Sequence, residues 1–125
     1  MIQATTPAEQ RLIALVAGAA RGPKRDGLFA TWLVVRAAET LLPPHPVSPK
    51  NHRRRLAALE HRLATLTLPA PLKRAFAAAR HHLEPASPKA AALVLSQLVA
   101  PAREVLGPEA GDAVAVAARS ARIHL

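Results

Sequence analysis

Apolar positions along this chain recur at three- and four-residue intervals, and proline and glycine cut the pattern into six stretches. The first predicts a helix over 7–21, stopped by Gly22-Pro23. It opens on Thr6-Pro7-Ala8-Glu9, where Thr6 is placed as N-cap and Pro7 at the first helical position. Glu9 is placed to reach back to the Thr6 N–H as in a capping box. The second begins near Asp26, a good N-cap, and runs to Leu42, ended by Pro43-Pro44. Leu28, Phe29, Trp32, Leu33, Val34, Val35, Ala37, Ala38 and Leu41 cover most of its circumference. Such a helix is central, or turns one face to another subunit.

The third stretch runs from Pro49 to about Leu66, with Leu56, Leu59, Leu63 and Leu66 in a narrow seam like that of a coiled coil. The fourth runs from Ala70 to Leu83 on a stripe of Leu72, Phe76, Ala79 and Leu83. The fifth starts at Pro88 and continues to Leu106, with Pro101 predicting a kink or break near Val99. The sixth runs from Pro108 to about Arg122 and is weakened by Gly111. Ser48-Pro49, Ser87-Pro88 and Gly107-Pro108 repeat the start chemistry of Thr6-Pro7. No strand pattern competes. The expectation is an all-α protein with one domain over 1–125: a compact bundle of five to six Pro-initiated helices, the second central and the fifth kinked or broken.

Composition sharpens this picture. Of the 125 residues 50% are hydrophobic, but only Phe29, Trp32 and Phe76 are aromatic. A core of Ala, Leu and Val suits helices whose backbones approach closely. There is no Cys, which excludes disulfides, thiolate metal sites and Cys nucleophiles. The apolar run Gly27–Leu42 is short for a bilayer and contains Arg36 and Glu39. The apolar run Leu12–Ala20 lacks a positive leader, since Glu9 precedes Arg11, and is read as helix; the expected location is the cytoplasm. The segment Pro43–Pro49 holds two PxxP spacings and is read as a stiff connector rather than a polyproline ligand.

Charge adds the functional signal. The net charge is +9, and residues 45–84 hold eight cations against two acids, Glu60 and Glu84. The cations are Lys50, Arg53, Arg54, Arg55, Arg62, Lys73, Arg74 and Arg80, and five of the six histidines lie there too. At 100° per residue, Lys50, Arg54 and His61 fall opposite the leucine seam, and Arg55 and Arg62 share a flank. Arg74 pairs with His81 on one face of the fourth helix and Lys73 with Arg80 on another. If the third and fourth helices form an antiparallel hairpin, these rows combine into one basic surface fit for phosphates. A solvated face gives the same pattern. No stacking platform for unpaired bases is legible, because Phe76 sits on the core stripe, so readout would be of backbone phosphate. Aromatic anchors and basic helices do not coincide, which disfavours a membrane surface.

Other chemistry finds little support. His81 and His82 diverge by about 100° on a helix, too far to share a metal. No Glu-x-x-His or His-Glu-x-x-His spacing occurs, so neither metal nor cofactor is expected. His52 lies on the leucine side of the third helix, as a packed or capping histidine. The acids are dispersed, without a paired-carboxylate constellation. Ser48 and Ser87 read as N-caps. Six residues separate Arg54 from His61 and Arg74 from His81, and five separate Arg55 from His61. This is similar to the Arg–His spacing of all-helical HEPN ribonucleases, which implies a metal-independent RNase. That family commonly has a polar residue after the Arg, where this chain has Leu56 and Ala75.

The leading expectation is therefore a non-enzymatic accessory protein whose third and fourth helices contact nucleic-acid backbone or an acidic protein. The alternative is a helical scaffold that binds a partner, or itself through the second and third helices. A HEPN-like RNase ranks last.

Overall fold

The computed structural model describes residues 6–43 and 48–124. Among them are six helices and no strand: α1 (Pro7–Gly18), α2 (Pro23–Glu39), α3 (Pro49–Ala64), α4 (Ala70–His82), α5 (Pro88–Leu106) and α6 (Pro108–Ile123). None is long and apolar enough to cross a membrane. The PxxP reading falls on residues 44–47, outside the described residues.

Every helix carries a proline in its first turn. Thr6, Ser48 and Ser87 cap as expected, each side-chain oxygen accepting a backbone N–H three residues on, from Glu9, Asn51 and Ala90. Glu9 spends its carboxylate differently from the capping-box reading: its Oε1 accepts the indole N–H of Trp32 at 3.1 Å.

Several features differ from the sequence expectation, among them the ends of α2 and α3, at Glu39 and Ala64 rather than Leu42 and Leu66. α1 ends at Gly18, because the backbone of Ala19 is already extended. α2 begins at Pro23, not near Asp26, because proline pre-sets helical φ and needs no N–H. Asp26 lies in the first turn instead, where its Oδ2 accepts the Thr67 N–H at 2.9 Å and ties the α3–α4 connector to α2. Pro101 does not break α5, which runs as one helix from Pro88 to Leu106. Its partners α4 and α6 hold the segment helical across the missing bond.

α2 is central, packing against each of the other five helices through Gly27, Leu28, Ala30, Thr31, Leu33, Val34, Val35 and Ala38. The α3 seam faces inward as well, with Leu56 and Leu59 buried and Leu63 and Leu66 packed against the core. α5 and α6 form the closest pair. Gly107, at φ +104°, both ends α5 and starts α6. Such a conformation strains any residue with a Cβ. Buried Ala110, Ala113, Ala117, Ala118 and Ala121 let α6 approach closely.

Candidate anion-binding surface

α3 and α4 are joined by a short connector and bridged by polar contacts. The His52 imidazole, buried at the start of α3, donates through Nε2 to the carbonyl oxygen of Leu83 just past α4. That carbonyl is one of those a helix end leaves without an intrahelical donor. Further along, the Arg80 guanidinium reaches Glu60 of α3 at 2.9 Å and Glu84 at 3.3 Å. The two helices are thus bridged near the start of α3 by His52 and across their flank by Arg80. The helices rest on different neighbours, α3 on α2 and α4 on α2 and α5. A cleft of about 620 Å³ lies between them, lined by Pro49, His52, Arg53, Leu56, Arg80, Glu84 and Ala86.

The eight predicted cations divide on this framework. Lys50, Arg53, Arg54, Arg55, Lys73 and Arg74 are exposed, and none has a carboxylate partner among the described residues. Arg62 is also exposed and lays its guanidinium over Phe29, 5.4 Å from the ring centroid. Arg80 differs, being held between two carboxylates that cancel its charge. Arg54 and His61 both project from the outward side of α3, exposed; Arg74 and His81 are exposed on α4. His81 and His82 have ring centroids 5.7 Å apart, and no group of three or more His, Asp or Glu able to hold a metal occurs among the described residues.

A second cleft, of about 680 Å³, opens where the α1–α2 and α5–α6 turns meet. Its walls are mainly backbone and Ala, Leu, Gly and Pro side chains, and none of the eight cations lines it.

Two features were not visible in the sequence. One is a carboxylate pair where α1 meets the end of α2. Thr6 Oγ1 donates to Glu39 Oε1 at 2.8 Å while accepting the Glu9 N–H. Burial pushes the Glu39 carboxyl up to about 6; the Thr6 bond lowers it, and the nearby Glu9 charge raises it. The pair lies 30 positions apart in sequence, so no local spacing announces it. A carboxyl raised on folding binds its proton more tightly in the native state than in the unfolded chain. Stability is then fullest below the unfolded value near 4.5 and falls as pH rises towards 6. Glu39→Gln keeps an acceptor for Thr6 and has no charge to desolvate. We expect it to stabilise the protein at pH 7 by on the order of 1 kcal/mol, a value reduced for partial solvent exposure, and to be neutral at pH 4. Urea unfolding at the two pH values checks this; equal effects at both would refute it.

The other feature is aromatic. The sequence reading placed no aromatic beside the basic residues, yet Phe29 of α2 lies beneath Arg62 of α3, and Trp32, beside Phe29, lies beneath Arg36 of its own helix.

No family model, characterised protein or solved structure matches this chain.

Proposed function

We propose that this chain is a non-enzymatic binding protein whose α3–α4 surface engages the phosphate backbone of nucleic acid. The supporting observation is the group of six exposed cations, Lys50, Arg53, Arg54, Arg55, Lys73 and Arg74, without carboxylate partners among the described residues. What distinguishes them is their density: residues 45–84 hold eight cations against two acids, Glu60 and Glu84, and both acids are engaged by Arg80. Four of them, Lys50, Arg53, Arg54 and Arg55, fall within the first two turns of α3, where like charges without counter-charges repel one another. A polyanion relieves that repulsion and releases its own condensed counterions, so binding is driven electrostatically. Arg80 stands outside the proposed footprint, as a strut between α3 and α4.

Two double variants test the location. Lys50→Gln with Arg54→Gln removes two charges from the outward row of α3. Arg119→Gln with Arg122→Gln removes two from α6, which packs on α1, α2 and α5. The first pair should weaken binding to a labelled oligonucleotide and flatten the slope of log K against log salt by about 2, while the second leaves the slope near that of the wild type. Equal loss from both pairs would mean that net charge alone, without a defined surface, drives the association.

A further inference from the structure

One row of large side chains on α2 is left only partly covered. Arg25, Phe29, Trp32 and Arg36 fall within about 60° of one another around the helix. They lie opposite the buried Ala30, Thr31, Val34 and Ala38. Phe29 and Trp32 are only partly buried, with ring centroids 5.5 Å apart and planes tilted by 40°. Each ring carries a guanidinium. Arg36 Cζ stands 5.6 Å from the Trp32 centroid, and Arg62 Cζ from α3 stands 5.4 Å from that of Phe29. Arg55 precedes Arg62 by two helical turns and so projects from the same flank of α3.

Phe29 and Trp32 pack against the edge of the core, which covers them only in part. Large aromatic side chains contribute most when buried, and this protein has only three. Phe76 is in the core, while the other two stand on the outward side of the central helix. Their setting is also cationic. The acids beside them are already engaged: Glu9 accepts from the Trp32 indole, fixing the ring, and Glu39 accepts from Thr6.

We propose that this row stacks unpaired nucleotide bases, so that the polymer engaged by the basic surface is single-stranded nucleic acid. The inference rests on the reading of α3–α4 as a phosphate-binding surface and names its substrate class. Bases stack on aromatic rings and on guanidinium planes alike. Arg62 serves both needs, as a plane over Phe29 and as a cation on the α3 flank shared with Arg55. A strand whose phosphates follow α3 brings its bases against Phe29 and Trp32. A duplex keeps its base faces inside the stack and offers only phosphates.

Trp32 is the single tryptophan, so intrinsic emission reports this surface alone. Full-length protein is titrated with a single-stranded oligonucleotide, an abasic strand of equal length and inorganic polyphosphate. The base-bearing strand should quench Trp32 and bind at least about tenfold more tightly than the abasic strand. Abasic strand and polyphosphate should bind without quenching. Phe29→Leu and Arg62→Lys should each lower affinity for the base-bearing strand and leave that for the abasic strand nearly unchanged; unaltered helical circular dichroism shows that both variants fold. Equal affinity for the two strands without quenching overturns the stacking proposal and leaves the phosphate reading standing. Failure of all three polymers to bind at low salt removes both. A change in emission with protein concentration alone assigns the row to a second copy of the chain and also overturns the proposal.

Discussion

Gly111→Val should lower stability by about 3 kcal/mol, near the upper end of what overpacking costs, and reduce the melting temperature by roughly 10 °C. A Cβ at Gly111 would stand 2.5 Å from Arg103 Cβ and 3.0 Å from its backbone Cα. A backbone atom cannot rotate away as a side-chain tip can, so α5 and α6 must separate. Their closeness is what lets the buried alanines of α6 form a core with α5. Arg103 is also held by Asp112, which limits its retreat. Valine brings two further methyl groups into the same gap. Gly111→Ala should cost less, because about 1 kcal/mol of helix propensity is gained against the clash. Gly18→Ala is the contrast: a Cβ there meets nothing within 4 Å. It should be neutral or stabilising by up to about 1 kcal/mol. Thermal and urea unfolding of the three variants decide the matter, and a Gly111→Val protein as stable as the wild type would show that α5 and α6 do not approach as described.

The largest functional effect is expected from neutralising Lys50, Arg53, Arg54, Arg55, Lys73 and Arg74 together with glutamine. Their exposure and the absence of carboxylate partners among the described residues predict that folding is retained, and glutamine matches Arg and Lys closely in helix propensity. The net charge of +9 drops by six, leaving +3. If the six residues each neutralise a phosphate, affinity at low salt should fall by at least about 10³-fold, and the remaining binding should be almost independent of salt. Arg80→Gln behaves differently in this account. It releases Glu60 and Glu84, so its main effect is on the α3–α4 contact, and phosphate affinity falls only by the small amount that two freed acids impose. A six-charge variant that binds as tightly as the wild type would make the α3–α4 face solvent-facing only.

The fold was legible where local chemistry decides. Thr6, Ser48 and Ser87 cap because a hydroxyl before proline leaves the helix few other ways to start. α2 is central because a helix apolar around most of its girth has to be surrounded. His52 was correctly placed on the core side of α3 from its register with Leu56 and Leu59. Where three-dimensional context overrides local preference, the sequence misled. Pro101 interrupts a helix in isolation, but α5 is clamped between α4 and α6. Gly111 reads as a weak point of α6, whereas its missing Cβ is what admits Arg103 of α5.

The same limit explains the site. The rows of cations follow from helical periodicity and could be listed by position. That Arg80 is spent on Glu60 depends on a contact across 20 residues, which no periodicity predicts. Placing the start of α2 at Asp26 left Arg25 outside the helix. The row Arg25, Phe29, Trp32 and Arg36 then lost its first member and read as more apolar circumference. Arg62 joins that row from another helix, and Glu9 meets Glu39 by the same kind of long-range encounter.

The central claim is that a defined set of about six cations on α3 and α4 binds a phosphate backbone. The most direct measurement is the affinity of purified protein for a labelled single strand across roughly 50 to 200 mM salt. Six phosphate contacts predict a slope of log K against log salt near −4 for a single strand, and hence a loss of several hundred-fold over that range. A flat dependence, or no binding at 50 mM salt, would contradict the account and leave the basic face of α3 and α4 without a nucleic-acid partner.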